Sequence, residues 1–173
     1  MKPVPPSTSR GAFTLIEILV VIAIIAILAS LILSVSGFVQ EKAGISRAQV
    51  EIKALETALE NYKQDNGTYP AGDGSESSSL VLLDELNRKP ASGTSGGKIY
   101  MADLGKMIPP IPGNPSASYA EKVAAARQLV DPFGNPYHYE FPGKPERSGE
   151  AFFDLWSQGK KNSADENKWI KNW

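Results

Sequence analysis

One carboxylate, Glu17, stands at the start of an apolar run that carries no other ionisable side chain over residues 18–39. As a helix rising ~1.5 Å per residue, those 22 residues reach roughly 33 Å, enough for a hydrocarbon core of about 30 Å. A secretory signal peptide has an apolar core of only about 7–15 residues, so a run of this length is expected to stay in the membrane. A carboxylate deep in a bilayer costs roughly 2.5–3.5 kcal/mol on insertion scales. At the edge of the run Glu17 has two readings: a boundary acid lying among headgroups, or an acid that meets a partner charge inside an assembly.

Composition bounds the rest. At 173 residues the chain has room for one small domain beside the membrane segment. A net charge of −1 gives no basic signal for nucleic acid. There is no cysteine, and the single histidine, His138, argues against a His-based metal site or triad. No nucleophile–base pair, phosphate-cradling glycine motif or paired catalytic carboxylate emerges; Gly96-Gly97 follows no strand and opens no long helix. The chain reads as a non-enzyme.

Helical periodicity continues past the apolar run. Ile45, Ala48, Ile52, Leu55, Leu59 and Tyr62 recur at three- and four-residue steps, with charged residues on the other faces. Asn66-Gly67 is a left-handed stop, and Pro70 prevents resumption. The pattern predicts one helix of roughly 50 residues, about 75 Å at ~1.5 Å each. Its first half is lipid-soluble all round and its second half amphipathic.

Beyond it, 71–78 reads as a Gly/Ser loop, 80–87 as a short helix with Leu83 and Leu86 inward, and 91–97 as a further loop. Residues 98–101 read as a short extended piece, and 107–115, with four prolines, as a polyproline-like surface loop. Ser118-Tyr119-Ala120-Glu121 has capping-box spacing and opens a helix to about Val130. Asp131-Pro132-Phe133-Gly134-Asn135-Pro136 is a dense turn cluster. It leads into an alternating strand, 137–141, and a return strand over 151–157. His138 falls on the polar side of its strand and is expected to be solvated.

Three segments resemble one family. Phe13-Thr14-Leu15-Ile16-Glu17-Ile18-Leu19-Val20-Val21-Ile22 is similar to the processing and membrane segment of type IV pilins and type II secretion pseudopilins. The turn at Asp65-Asn66-Gly67-Thr68-Tyr69-Pro70, and the strings 131–139 and 153–159, resemble the major pseudopilins of type II secretion. The fold implied is α+β and pilin-like: a long N-terminal helix on a small antiparallel sheet.

The resemblance implies a leader over 1–12, cleavage between Ala12 and Phe13 by a prepilin peptidase, and N-methylation of Phe13. Glu17, the fifth mature residue, then offers its charge to the amine of a neighbouring subunit. Pairing a desolvated carboxylate with an ammonium offsets the burial cost of both and can set the stagger between helices. Two departures from the family pattern stand out. Ala12 replaces the usual Gly before the cut, with Gly11 one place earlier. Ala26 and Ser34 stand where pilins carry Gly and Pro in the membrane helix, which leaves Ser34, Ser36 and Gly37 as its weak points.

The implied layout is 13–39 in the membrane, 40–66 as the amphipathic half-helix and 67–173 as a periplasmic head. Basic residues on the two sides of the span nearly balance (Lys2 and Arg10 against Lys42, Arg47 and Lys53), so a cytoplasmic N-terminus also rests on the resemblance. The implied function is a structural subunit of a type II secretion pseudopilus that drives export of folded proteins across the outer membrane. Its implied partners are copies of itself, minor pseudopilins, an inner-membrane assembly platform and ATPase, and an outer-membrane secretin. The alternatives are a pilin or minor pilin for adhesion, motility or DNA uptake, and a monomeric membrane-anchored ligand-binding domain. Lys160, Lys161, Lys168 and Lys171 cluster beside acids, and no nucleic-acid partner is expected from them.

In that family the loop after Ser-x-Gly holds calcium through aspartates and backbone carbonyls, and calcium wants six to eight oxygens. Here Lys161, Asn167 and Trp169 align near ligand aspartates, leaving Asp165 and Glu166 as the candidate ligands with Lys160 and Lys161 opposing a cation. The alternative is a loop pinned by Trp169 and Trp173 on the sheet, with Lys–acid pairs.

Overall fold

A computed structural model of the chain describes residues 14–88, 98–160 and 163–173, with side chains 31–36 left aside. The chain divides into two units, Met1–Gln40 and Glu41–Trp173. Helix α1, Leu15–Asn66, runs through 52 residues and ends where the sequence predicts. Gly67 takes φ +79, and its N–H donates to the Lys63 carbonyl at 2.7 Å, so a residue without Cβ closes the helix.

In the second unit the expected stripe is the core. Ala48, Ile52, Leu55 and Leu59 of α1 are buried, and Ile45 and Tyr62 pack at the edges. Each fully buried Leu or Ile contributes roughly 1.5–3 kcal/mol over its exposed state. The stripe shares its cluster with Tyr137, Tyr139 and Leu155 of the sheet region and with Leu82, Leu83 and Leu86.

The sheet has four antiparallel strands in sequence order: β1 Gly72–Asp73, β2 His138–Phe141, β3 Asp154–Ser157 and β4 Ile170–Lys171. Gly72 pairs with Phe141, His138 with Trp156, and Trp156 with Lys171. A Cβ at Gly72 would lie 2.4 Å from the Tyr139 ring, so only glycine lets β1 approach β2 this closely. The α+β architecture is the one expected. The turn before β2 is organised by Asp131, whose Oδ1 accepts the Phe133 and Asn135 N–H groups at 2.9 Å each. Its Oδ2 accepts the Ser157 hydroxyl at 2.5 Å, tying turn to sheet.

Several local expectations are corrected. The 71–78 loop contains β1. Helix α2 spans Ser78–Leu83, and Asp84–Arg88 widens into a π-helical turn; Leu83 and Leu86 are buried as expected. Residues 98–101 form no strand, because the Tyr100 and Met101 N–H groups both donate to the Leu86 carbonyl. The 91–97 loop lies outside the described residues.

The proline-rich 107–115 is not all surface: Met107 and Ile108 are buried, and the Met107 carbonyl accepts the Val130 N–H at 2.7 Å. Helix α3, Tyr119–Ala125, has the expected capping box at Ser118 and Glu121, but it stops five residues before Val130. Leu129 is drawn into the core instead: its N–H donates to Ser79 Oγ and its carbonyl accepts the Tyr137 N–H. The return strand begins at Asp154, not 151, because the preceding loop winds around the Asp154 carboxylate, which accepts the Lys144 and Ser148 N–H groups.

His138 is 5% exposed, not solvated. Its ring stacks on Trp156 at 5.1 Å and 9°, and its Nδ1–H donates to the Gly74 carbonyl at 3.0 Å.

Candidate functional site

The described part of the first unit opens on Thr14, the residue before the first turn of α1. Its Oγ1 accepts the Glu17 N–H at 3.3 Å. The Glu17 Oε2 accepts both the Thr14 N–H and the Thr14 hydroxyl, at 2.8 Å each. This is a reciprocal capping box that satisfies orphan donors of the first turn. Thr14-x-x-Glu17 carries the capping-box spacing in the sequence itself. The box fixes the glutamate at the helix start. Ala12 and Phe13 lie outside the described residues.

On both sides of Glu17 every large apolar side chain from Leu15 to Leu28 is about half exposed or more, from 47% at Val20 to 82% at Leu15. The exposure covers all faces of the helix. Ser30 turns its hydroxyl back to the Ile27 carbonyl at 2.7 Å, hiding the one polar group of that stretch. Among the described residues no helix is long and apolar enough to cross a membrane. The apolar run whose side chains are described ends at Ser30, short of the roughly 20 residues a span needs.

At the other end of the chain, Asp165 and Glu166 point to different partners. Asp165 Oδ1 accepts the backbone and side-chain N–H groups of Asn167 at 3.1 Å, and Oδ2 lies 3.4 Å from Lys168 Nζ. The Asn167 N–H, with Lys168 behind it, holds the Asp165 carboxyl below its ordinary value. Glu166 is ion-paired with Arg147. No group of three metal-ligating side chains occurs among the described residues, and Lys161 lies outside them. Two carboxylates already engaged by cations and N–H groups do not fit a calcium ion's demand for six to eight oxygens. Trp169 stacks on Trp156 at 5.2 Å and 9°, and Trp173 meets Trp156 edge-on at 5.8 Å.

Comparison with known proteins matches both ends of this arrangement. Residues 8–33 match the prokaryotic N-terminal methylation motif, and residues 38–109 and 104–173 match the type II secretion system protein G model. The type II secretion system core protein G of Pseudomonas aeruginosa is 33% identical over 168 residues, covering 95% of each chain. Its counterpart in Dickeya chrysanthemi is 34% identical over 164 residues, covering 95% of this chain and 86% of the relative. That of Escherichia coli is 33% identical over 164 residues, covering 95% and 90%. With nearly the whole length matched and the methylation motif lying over the capped, uncovered helix, the chain belongs to the type II secretion system protein G family.

Proposed function

We propose that this chain is the repeating structural subunit of a type II secretion pseudopilus, a filament that drives export of folded proteins across the outer membrane, and that it is not a catalyst. A prepilin peptidase cuts between Ala12 and Phe13, and the new Phe13 amine is methylated. Residues 13–39 cross the inner membrane once, with the N-terminus cytoplasmic. The amphipathic half-helix 40–66 and the head 67–173 stand in the periplasm. Subunits then leave the bilayer for the filament by burying their apolar helices against one another, working with minor pseudopilins, an inner-membrane platform and ATPase, and an outer-membrane secretin.

The observation that carries this reading is the capped acid on a helix uncovered on every side. A helix with that much apolar surface needs lipid or other helices around it. The Glu17 carboxylate, costing roughly 2.5–3.5 kcal/mol in lipid, gains a reason to be there if an ammonium from the next subunit meets Oε1. A growing chain end whose Phe13 amine is unpaired then selects the subunit whose Glu17 is unpaired, which sets the axial stagger.

The test is Glu17→Ala with filament yield measured, alongside cross-linking. Because the chain has no cysteine, the single thiol of Leu19→Cys forms no disulfide within a chain and links two copies as a dimer of twice the mass. The expected result is disulfide-linked dimers from L19C in native envelopes and loss of filaments in E17A, with an unchanged head. Normal filaments from E17A reject the charge-pairing role. Solitary L19C chains, with no dimer, reject the filament and favour a monomeric anchored binder.

A further inference from the structure

The misfit between the candidate calcium ligands and calcium has a positive counterpart on the sheet. Arg147, from the β2–β3 loop, is 7% exposed at its side chain. Its guanidinium lies among carboxylates from three separate segments. Nη1 is 3.6 Å from Glu140 Oε2 on β2 and 3.7 Å from Asp154 Oδ2 on β3, and Nη2 pairs with Glu166 of the C-terminal segment. The same group sits 5.1 Å from the Trp156 ring centre, 5.4 Å from that of Trp169 and 5.0 Å from that of Trp173. Those are the only tryptophans in the sequence.

We infer that Arg147 is a resident cation that fastens the C-terminal segment to the sheet, so that this head holds its fold without calcium. The inference goes beyond the filament reading and does not depend on it. A divalent ion gathers carboxylates from distant segments because its charge outweighs their mutual repulsion. A buried guanidinium does the same through its charge, with Nη1 hydrogen-bonded to none of them and Nη2 bonded to Glu166, and its carbon lies over the indole rings, where a cation is attracted by the ring quadrupole. Asp154 is fully buried and already spends hydrogen bonds on the Lys144 and Ser148 N–H groups, which aim the loop so that Arg147 reaches the cage. Glu166 is the C-terminal segment's link to the cage, and Trp169, three residues on, completes it. Trp169 Nε1–H donates to the Ser163 carbonyl at 2.6 Å, so the indole also braces its own loop. The cation is covalently part of the chain, and chelators cannot remove it.

The experiment uses the full chain in detergent micelles, followed by tryptophan emission and near-ultraviolet dichroism during heating. All three indoles line the cage, so both signals report on it directly. The expected result is one melting temperature for the wild type in excess EGTA and in millimolar calcium. Arg147→Ala lowers that temperature by roughly 10 °C, because it leaves the buried Asp154 carboxylate without its cation, and shifts the emission to the red. Arg147→Lys does not restore it, since an ammonium has no flat face to lie against three indoles. If R147A fails to fold, Glu166→Gln keeps the question open to measurement: it removes only the exposed partner and should lower melting by a few degrees while leaving calcium without effect. A wild type that melts earlier in EGTA, or later with calcium, overturns the inference. So does an R147A or E166Q protein that melts like the wild type.

Discussion

The two halves of α1 are one continuous helix with opposite chemistry. Behind Glu17 the first half shows the described leucines, isoleucines and valines on every side, and no described residue of its own unit buries them. In the second half, one step of three or four residues after another brings an apolar side chain to zero or near-zero exposure against the sheet and α2. The second half is satisfied within one copy. The first half is satisfied only by something else. Substitutions in the two halves should therefore be read by different instruments: head melting for the second, filament yield for the first.

The largest expected effect follows at once. Leu55→Ala removes a fully buried side chain from the centre of the stripe and should destabilise the head by about 2–5 kcal/mol. Leu19→Ala removes a similar group from the first half and should leave head melting within about 0.5 kcal/mol of wild type while lowering filament yield. Equal effects of the two on head melting would erase the distinction between the halves.

A second test uses pH. Tyr137 and Tyr139 are fully buried, and burial first, with the Glu51 charge beside Tyr137 next, pushes both hydroxyls far above their ordinary value of 10.0. A raised pKa favours the protonated form in the folded state. The stabilising contribution is thus complete below pH 10 and is lost as pH rises from there toward the folded values. Each buried tyrosine should steepen alkaline destabilisation by about 1.4 kcal/mol per pH unit above the unfolded value. Tyr137→Phe should remove one tyrosine's share of that slope. Its hydroxyl donates to Glu51 Oε2 at 2.7 Å, and Glu51 keeps Arg47 at 2.7 Å, so the variant strands no charge. Filament disassembly that followed the same alkaline curve as head melting would show that the halves are not separable.

What the sequence disclosed, and what it hid, follows the same division. The long helix was legible because its period is local and its stop, Asn66-Gly67, is local too. The turn at Asp131 and the capping box at Ser118 were legible for the same reason. The box at Thr14 and Glu17 is equally local, and there one carboxylate serves both as the cap and as the lone charge of the apolar run. The middle section was hidden because long-range bonds decide it: Val130 to Met107, Leu129 to Ser79, Tyr137 to Leu129. His138 misled because strand alternation assigns it to the polar face. That face is covered by Trp156 opposite it in register and by the C-terminal indoles that return over Trp156. Arg147 carries no local signal in the sequence, and only the convergence of three segments gives it a role.

Val50 offers the finest test. It lies in the second half of α1 yet is 70% exposed, an apolar residue on a face otherwise given to polar groups. Valine and serine have nearly the same helix propensity, so Val50→Ser changes little but apolar area. Head melting should move by less than about 0.5 kcal/mol. If the second half is satisfied within its own copy, filament yield should stay at the wild-type level as well. A fall in yield with unchanged head melting would mean that Val50 is buried by a neighbouring subunit, where a covered valine contributes roughly 1.5–3 kcal/mol. The boundary between the self-satisfied and the assembly-satisfied surface would then lie within the second half, on its outward face, and not at Gln40.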